Sequence, residues 1–233
     1  HLVDHTYVCF AGIIWLQIIG IPMGTNAAGF IANLYCFTYE LPFLERLVEE
    51  KQLTLAFRML NVSRYIDDLL APGLPEFDGL RYLPKGIYPK RILQLNVADS
   101  GDEVPYLDLI IKQNGRRGLM AGIYDKRLED KFKDIDVIRY PDIDSALSDI
   151  SKYGIVSSQM HRFSRRCSLN RDFVYNTSLV VHRLIEKGYS TLSVWKLVRK
   201  FMNRHAKLYD KAKTDVWMHR FQCKLTELQS GFI

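Results

Sequence analysis

Apolar and polar residues alternate with two different periods along this chain, and the change falls near residue 140. Residues 6–16 mix apolar and small residues in loose alternation, the pattern of a strand or hairpin. Gly20-Ile21-Pro22-Met23-Gly24 interrupts it, because glycine and proline break both regular structures. A helix is expected next, with Thr25 or Asn26 as N-cap and a body over 27–40. Pro42 fits the first turn of a second helix over 41–50. Residues 55–66 and 69–71 read as two strands joined at Asp67-Asp68, followed by a loop rich in proline and glycine over 72–89. A strand over 91–97 precedes a hairpin with arms at 104–112 and 119–124, around Asn114-Gly115-Arg116-Arg117-Gly118.

Beyond residue 140 the spacing is helical throughout. Helices are expected over 155–167, 171–187 and 193–213, with a short one at the end. Gly188 is a natural stop for the second. Phe173, Thr177, Val180, Val181 and Leu184 fall on one face of that helix. The pattern therefore predicts an α+β class, with a mixed portion over 1–139 and an all-helical domain over 140–233.

Charge follows the same division. The net charge is +6, but residues 1–139 hold 16 Lys and Arg against 18 Asp and Glu, and residues 140–233 hold 16 against 8. A helical domain of net +8 attached to a nearly neutral body suits a polyanionic partner, or else a solvated helical surface. Hydrophobic residues at 48% and charged residues at 25% exclude wholesale disorder. Cys9, Cys36, Cys167 and Cys223 are scattered, with no zinc-like spacing, so a reducing intracellular compartment is expected. The apolar run over 9–21 contains Gln17 and is too short to cross a bilayer, so no membrane partner is expected. The chain opens on His1 rather than Met and reads as a piece of something longer.

Two stretches carry candidate chemistry. In Arg64-Tyr65-Ile66-Asp67-Asp68-Leu69-Leu70, adjacent carboxylates stand at a bend between apolar strands. Two-metal phosphoryl transfer needs hard oxygen ligands that hold divalent ions about 3.5–4 Å apart. In Gln17-Ile18-Ile19-Gly20-Ile21-Pro22-Met23-Gly24-Thr25, a Gly-Pro-Gly turn leads into a helix, and its small residues let backbone approach a base pair closely.

In this order these stretches resemble motifs B and C of reverse transcriptases, Q-x-x-G-x-P-x-G and Y-x-D-D, and both forms are complete. "IYPKRILQLN" resembles the motif D region, and "VPYLDLIIKQNGRRGLMAGIYDKR" the hairpin that grips the primer terminus. The combination of "GIPMGTNAAGFIANLYCFTYE", "RYIDDLL", "YLDL" and "YDKR" is most similar to Penelope-like and related retroelement polymerases.

The resemblance implies an RNA-directed DNA polymerase that transfers nucleotides from deoxynucleoside triphosphates to a primer on an RNA or DNA template, with Mg2+ or Mn2+. It implies a right-hand palm over 1–139 and a thumb over 140–233. Asp67 and Asp68 match the metal-binding carboxylates, and Tyr65 the position beside the primer terminus. Gln17, Gly20, Pro22, Met23 and Gly24 match the loop lining the template–nucleotide pair. Lys90 or Lys85 stands where a lysine protonates the leaving pyrophosphate. Lys126 and Arg127 end the primer-gripping hairpin. Arg162, Arg165, Arg166, Lys196, Arg199, Lys200 and Arg204 recur at helical spacing and are expected on nucleic-acid phosphates. The family's third carboxylate, from motif A, has no match in the chain: Asp4 sits in the segment joining A to B. The chain by itself is therefore expected to bind nucleic acid without polymerising. The alternative is a catalytically inactive nucleic-acid-binding relic. An RNA-dependent RNA polymerase fits less well, because its motif C is usually Gly-Asp-Asp.

Overall fold

The computed structural model describes residues 6–18, 20–21, 26–115, 118–132, 138–205 and 214–230. They belong to two compact units, one ending at Ala98 and the other beginning at Asp99. The class is α+β, with small antiparallel sheets and helices.

The first unit begins with a hairpin of β1, Tyr7–Phe10, and β2, Ile13–Leu16. Its two loop residues, Ala11 and Gly12, both have positive φ (52° and 77°), as the right-handed twist of tight hairpins requires. One helix, α1, runs from Ala28 to Glu49, where two were expected, and its N-cap is Ala27 without a side-chain bond. Thr25 lies outside the described residues. Pro42 is inside the helix rather than at the start of another. It removes one backbone bond, and buried Phe43 and Leu47 on the next turn hold the helix to the core. Lys51, at φ 58°, then reverses the chain, and the Gln52 N–H donates to the Leu47 carbonyl at 2.8 Å.

The expected strand over 55–66 is mostly not a strand. Leu53–Met59 forms helix α2, and only Ser63–Tyr65 is extended, as β3, pairing with β4, Asp68–Leu70. Leu55, Ala56 and Met59 meet the core at helical spacing, and that face outweighs the apparent strand pattern. A four-residue helix α3, Phe77–Leu80, follows. The expected strand over 91–97 does not pair. Leu95 instead exchanges bonds with the Tyr82 hydroxyl (2.7 and 3.2 Å) and accepts one from Arg81 (2.9 Å). The core of this unit is Phe43, Leu47, Met59, Leu74, Ile87 and Tyr88.

Gly86 is fixed by the tight return of this loop. A Cβ there would lie 2.3 Å from the Leu80 carbonyl oxygen and 2.5 Å from the Tyr82 nitrogen, and neither backbone atom can give way. Gly86→Ala is expected to lower stability by roughly 3 kcal/mol. Urea unfolding would check this, and an unchanged midpoint would contradict it.

The second unit opens with a three-stranded meander of β5, Glu103–Tyr106, β6, Leu109–Gln113, and β7, Leu119–Ile123. The expected long arm over 104–112 is folded back on itself at Leu107-Asp108, with Leu107 at φ 57°. Helices α4, Asp149–Arg166, α5, Asn170–Glu186, α6, Thr191–Arg204, and α7, Thr214–Gln229, follow. The expected helix over 193–213 ends at Arg204, and residues 206–213 lie outside the described ones. The last helix, expected to be short, has 16 residues.

Phe173, Thr177, Val180, Val181 and Leu184 are all buried, as their spacing predicts. The four apolar ones pack with Phe163, Val198 and Phe221 into the helical core. Gly188, at φ 83°, closes α5. The compact units divide earlier than the change of period near residue 140, because the meander is fastened to the helices. Ser168 spans them: its N–H donates to the Ala121 carbonyl at 2.8 Å, and its Oγ accepts from the Ala121 N–H at 2.9 Å. All four cysteines are free. No helix among the described residues is long and apolar enough to cross a membrane.

Candidate functional site

The carboxylate pair stands at a two-residue hairpin turn. Tyr65 pairs with Asp68, leaving Ile66 and Asp67 as the loop. Ile66 has φ 55°, the left-handed region that a β-branched residue rarely enters. Such a conformation costs about 1–3 kcal/mol and persists only where its surroundings enforce it.

Those surroundings are one stripe of α1. Arg64, on β3, grips Glu40 with Nε at 2.6 Å and Nη2 at 3.1 Å from the two carboxylate oxygens. It also donates to the Asn33 side-chain oxygen at 2.6 Å, to the Asn33 carbonyl at 3.2 Å and to the Ile66 carbonyl at 3.4 Å. The Tyr88 hydroxyl donates to Glu40 at 2.6 Å. Burial, and then the bond to Glu40, push the Tyr88 phenol far above its ordinary value, and the bond to Glu40 holds the Arg64 guanidinium further toward its charged form. Gly29 lies on the same stripe, and a Cβ there would meet Ile66 Cδ1 at 3.7 Å, an ordinary contact.

Asp67 and Asp68 are exposed, and neither makes an ion pair among the described residues. Their oxygens are the hard donors that Mg2+ or Mn2+ takes, so in kind they fit such an ion. In number they do not complete its site, because no cluster of three or more His, Cys, Asp or Glu side chains occurs among the described residues. Tyr65 beside them is 58% exposed.

Of the expected nucleotide loop, Gln17 and Gly20 are described. The Gln17 N–H donates to the Thr6 carbonyl at 2.8 Å, and its side-chain amide nitrogen lies against Gly20, which has φ 89°. Pro22, Met23 and Gly24 lie outside the described residues. Lys90 stands over the Tyr82 ring, 5.6 Å from the centroid, and makes no ion pair with either acid.

In the second unit the expected basic residues separate into two groups. Arg162 and Arg166 of α4 both clasp Asp108 at the β5–β6 turn, the Arg162 contact being 2.7 Å, so they fasten the meander to the helix. Arg127 binds Asp125 at 2.8 Å, and Arg139 binds the same carboxylate at 2.5 Å. Burial pushes the Asp125 carboxyl up, but the bonds from Arg127 and Arg139 outweigh it and hold the group below its ordinary value. Lys126 stands 5.9 Å over the Phe132 ring, in a 3-10 turn rather than a strand exit. Arg199 pairs with Asp215 at 3.4 Å.

The other group is free. Arg165, Lys196, Lys200 and Arg204 are exposed and have no acidic partner among the described residues. Lys200 and Arg204 line a small hollow between α4 and α6 with His161 and His205, whose rings meet edge-on at 4.7 Å. Burial, and then the charges of His205, Arg165 and Arg204, hold His161 below its ordinary pKa. Arg165, Lys200 and Arg204 thus gather around His161, while Lys196 lies one turn before Lys200 on α6.

Sequence reasoning missed Glu40, Asn33, Tyr88 and Asp108. For Glu40, Asn33 and Tyr88 the only signal was Arg64 itself, a charge inside the expected strand; for Asp108 it was the cluster of Arg162 and Arg166, and in neither case does the spacing point to the partner. Comparison with protein-family models, curated proteins and solved structures finds no match to this chain.

Proposed function

We propose that the chain carries the catalytic carboxylate turn and the nucleic-acid-binding helices of an RNA-directed DNA polymerase, with a palm portion over 1–139 and a thumb over 140–233. The observation that supports this most is the turn at Asp67 and Asp68. Two carboxylates without an ion-pair partner among the described residues stand at the tip of a hairpin whose loop is strained and whose base is clamped to a helix. A surface turn with no task would relax by placing glycine or asparagine where Ile66 stands.

In this reading Asp67 and Asp68 supply oxygen ligands to divalent metal. When bound, a pair of such ions activates the primer hydroxyl and neutralises the leaving pyrophosphate. The remaining carboxylate that such chemistry requires is supplied from outside the described residues. Tyr65 stands beside the primer terminus, while Gln17, Gly20, Pro22, Met23 and Gly24 line the template–nucleotide pair. Lys90 donates a proton to pyrophosphate. Lys126, Arg165, Lys196, Lys200 and Arg204 meet phosphates of the template–primer, and Arg162 and Arg166 hold the elements that carry them.

The experiment is incorporation of each labelled deoxynucleotide by the full-length protein on primed homopolymeric RNA with Mg2+. Only the nucleotide complementary to the template should be incorporated. Binding of the template without any incorporation would favour an inactive nucleic-acid-binding protein instead.

A further inference from the structure

We infer that Arg64 is a positioning residue for the metal-binding carboxylates, with Glu40 and Tyr88 fixing Arg64 in turn; this rests on reading Asp67 and Asp68 as metal ligands. Asn33 and Glu40 are seven residues apart on α1, so one guanidinium bridges about 10 Å of helix and ties it to the hairpin. Gly29, the helix residue nearest the Ile66 side chain on this stripe, lies one turn earlier. The turn is thus tied to the helix through Arg64, which bonds the Ile66 carbonyl as well as Glu40 and Asn33.

Stability alone does not account for this arrangement. The Arg64 and Glu40 side chains are only 13% and 25% exposed, and an ion pair taken that far from water gains little over apolar packing. The backbone it supports is itself unfavourable. What the clamp provides is direction: the guanidinium that holds α1 also bonds the Ile66 carbonyl at 3.4 Å, which favours one setting of the loop and so of Asp67 and Asp68. Groups that hold metal ligands from behind typically change metal affinity by roughly 10–100-fold when altered.

Lysine cannot replace Arg64. Its single ammonium has three donors on a flexible stem and cannot reach Glu40, Asn33 and the Ile66 carbonyl together. Arg46 provides the comparison. It also bonds three residues, through the carbonyls of Pro84, Lys85 and Gly86, but it holds a loop at the other end of α1.

The experiment uses the 233-residue chain labelled with 15N-aspartate and titrated with Mn2+, whose paramagnetism broadens nearby amide signals even when binding is weak. In the unaltered protein the Asp67 and Asp68 signals should broaden first. Arg64→Lys and Glu40→Gln should each shift the midpoint to about tenfold higher Mn2+ or more. Arg46→Gln should lower the melting temperature yet leave the midpoint unchanged. Tyr88→Phe, which removes one hydroxyl, should give a smaller shift in the same direction. Should Arg64→Lys not fold, Glu40→Gln carries the same test, because it weakens the grip without altering the hairpin. An unchanged midpoint in folded Glu40→Gln overturns the positioning role. Absence of preferential broadening in the unaltered protein overturns the metal site, a separate failure seen before any substitution is made.

Discussion

Asp67→Asn in the full-length protein is expected to lower primer extension at least a thousandfold while leaving the melting temperature nearly unchanged. The residue is exposed and makes no ion pair among the described residues, so the fold loses nothing with its charge. The transition state does lose. Charge builds on the transferring phosphoryl group, and metal held by a carboxylate stabilises it by several kcal/mol, of which about 4 kcal/mol corresponds to a thousandfold in rate. An amide oxygen still coordinates but brings no charge. Extension assays with Mg2+, run beside thermal unfolding, separate the two effects. Near-normal extension would mean that this turn is not the catalytic one.

The second large effect concerns binding. Replacing Arg165, Lys196, Lys200 and Arg204 together with Gln should make the plot of log affinity against log salt shallower by roughly 3–4, because each phosphate contact contributes roughly 0.9. A fourfold rise in salt would then weaken the variant about a hundredfold less than the unaltered protein. Replacing Arg162 and Arg166 instead should leave the slope unchanged and lower the melting temperature, because both are engaged by Asp108. Filter binding of a template–primer duplex across a salt series measures both. Equal slopes for the first variant and the unaltered protein would make the free cations ordinary solvated surface.

The contrast between these two groups marks the limit of what the sequence discloses. Arg162 and Arg166 recur at the same helical spacing as Arg165, and spacing alone cannot tell a cation facing solvent from one facing an acid. Asp108 is 54 residues from Arg162, and only the folding of the meander onto α4 brings them together. The same holds for Arg64 and its partners, 24 and 31 residues away on α1. Local chemistry was more legible. The acidic pair between apolar flanks marked a hairpin turn, and the face of α5 was readable from Phe173 to Leu184. The helix α2 reads as a strand because a seven-residue helix offers barely two turns of period, and Leu55, Phe57 and Met59 alternate as strand residues would. Leu107 shows the converse: nothing in a run of apolar residues announces a reversal, yet it turns at positive φ as Ile66 does, each between a tyrosine and an aspartate.

Metal rescue at the turn tests the central claim most directly. Asp67→Cys replaces a hard oxygen ligand with a soft thiolate, which Mg2+ binds poorly and softer ions such as Cd2+ accept. The full-length variant should fail to extend a primed RNA template with Mg2+ and regain template-dependent extension when a small amount of Cd2+ is added, with no such gain in Asp67→Asn. Undiminished extension by Asp67→Cys in Mg2+ alone would contradict the assignment of Asp67 as a metal ligand in nucleotidyl transfer.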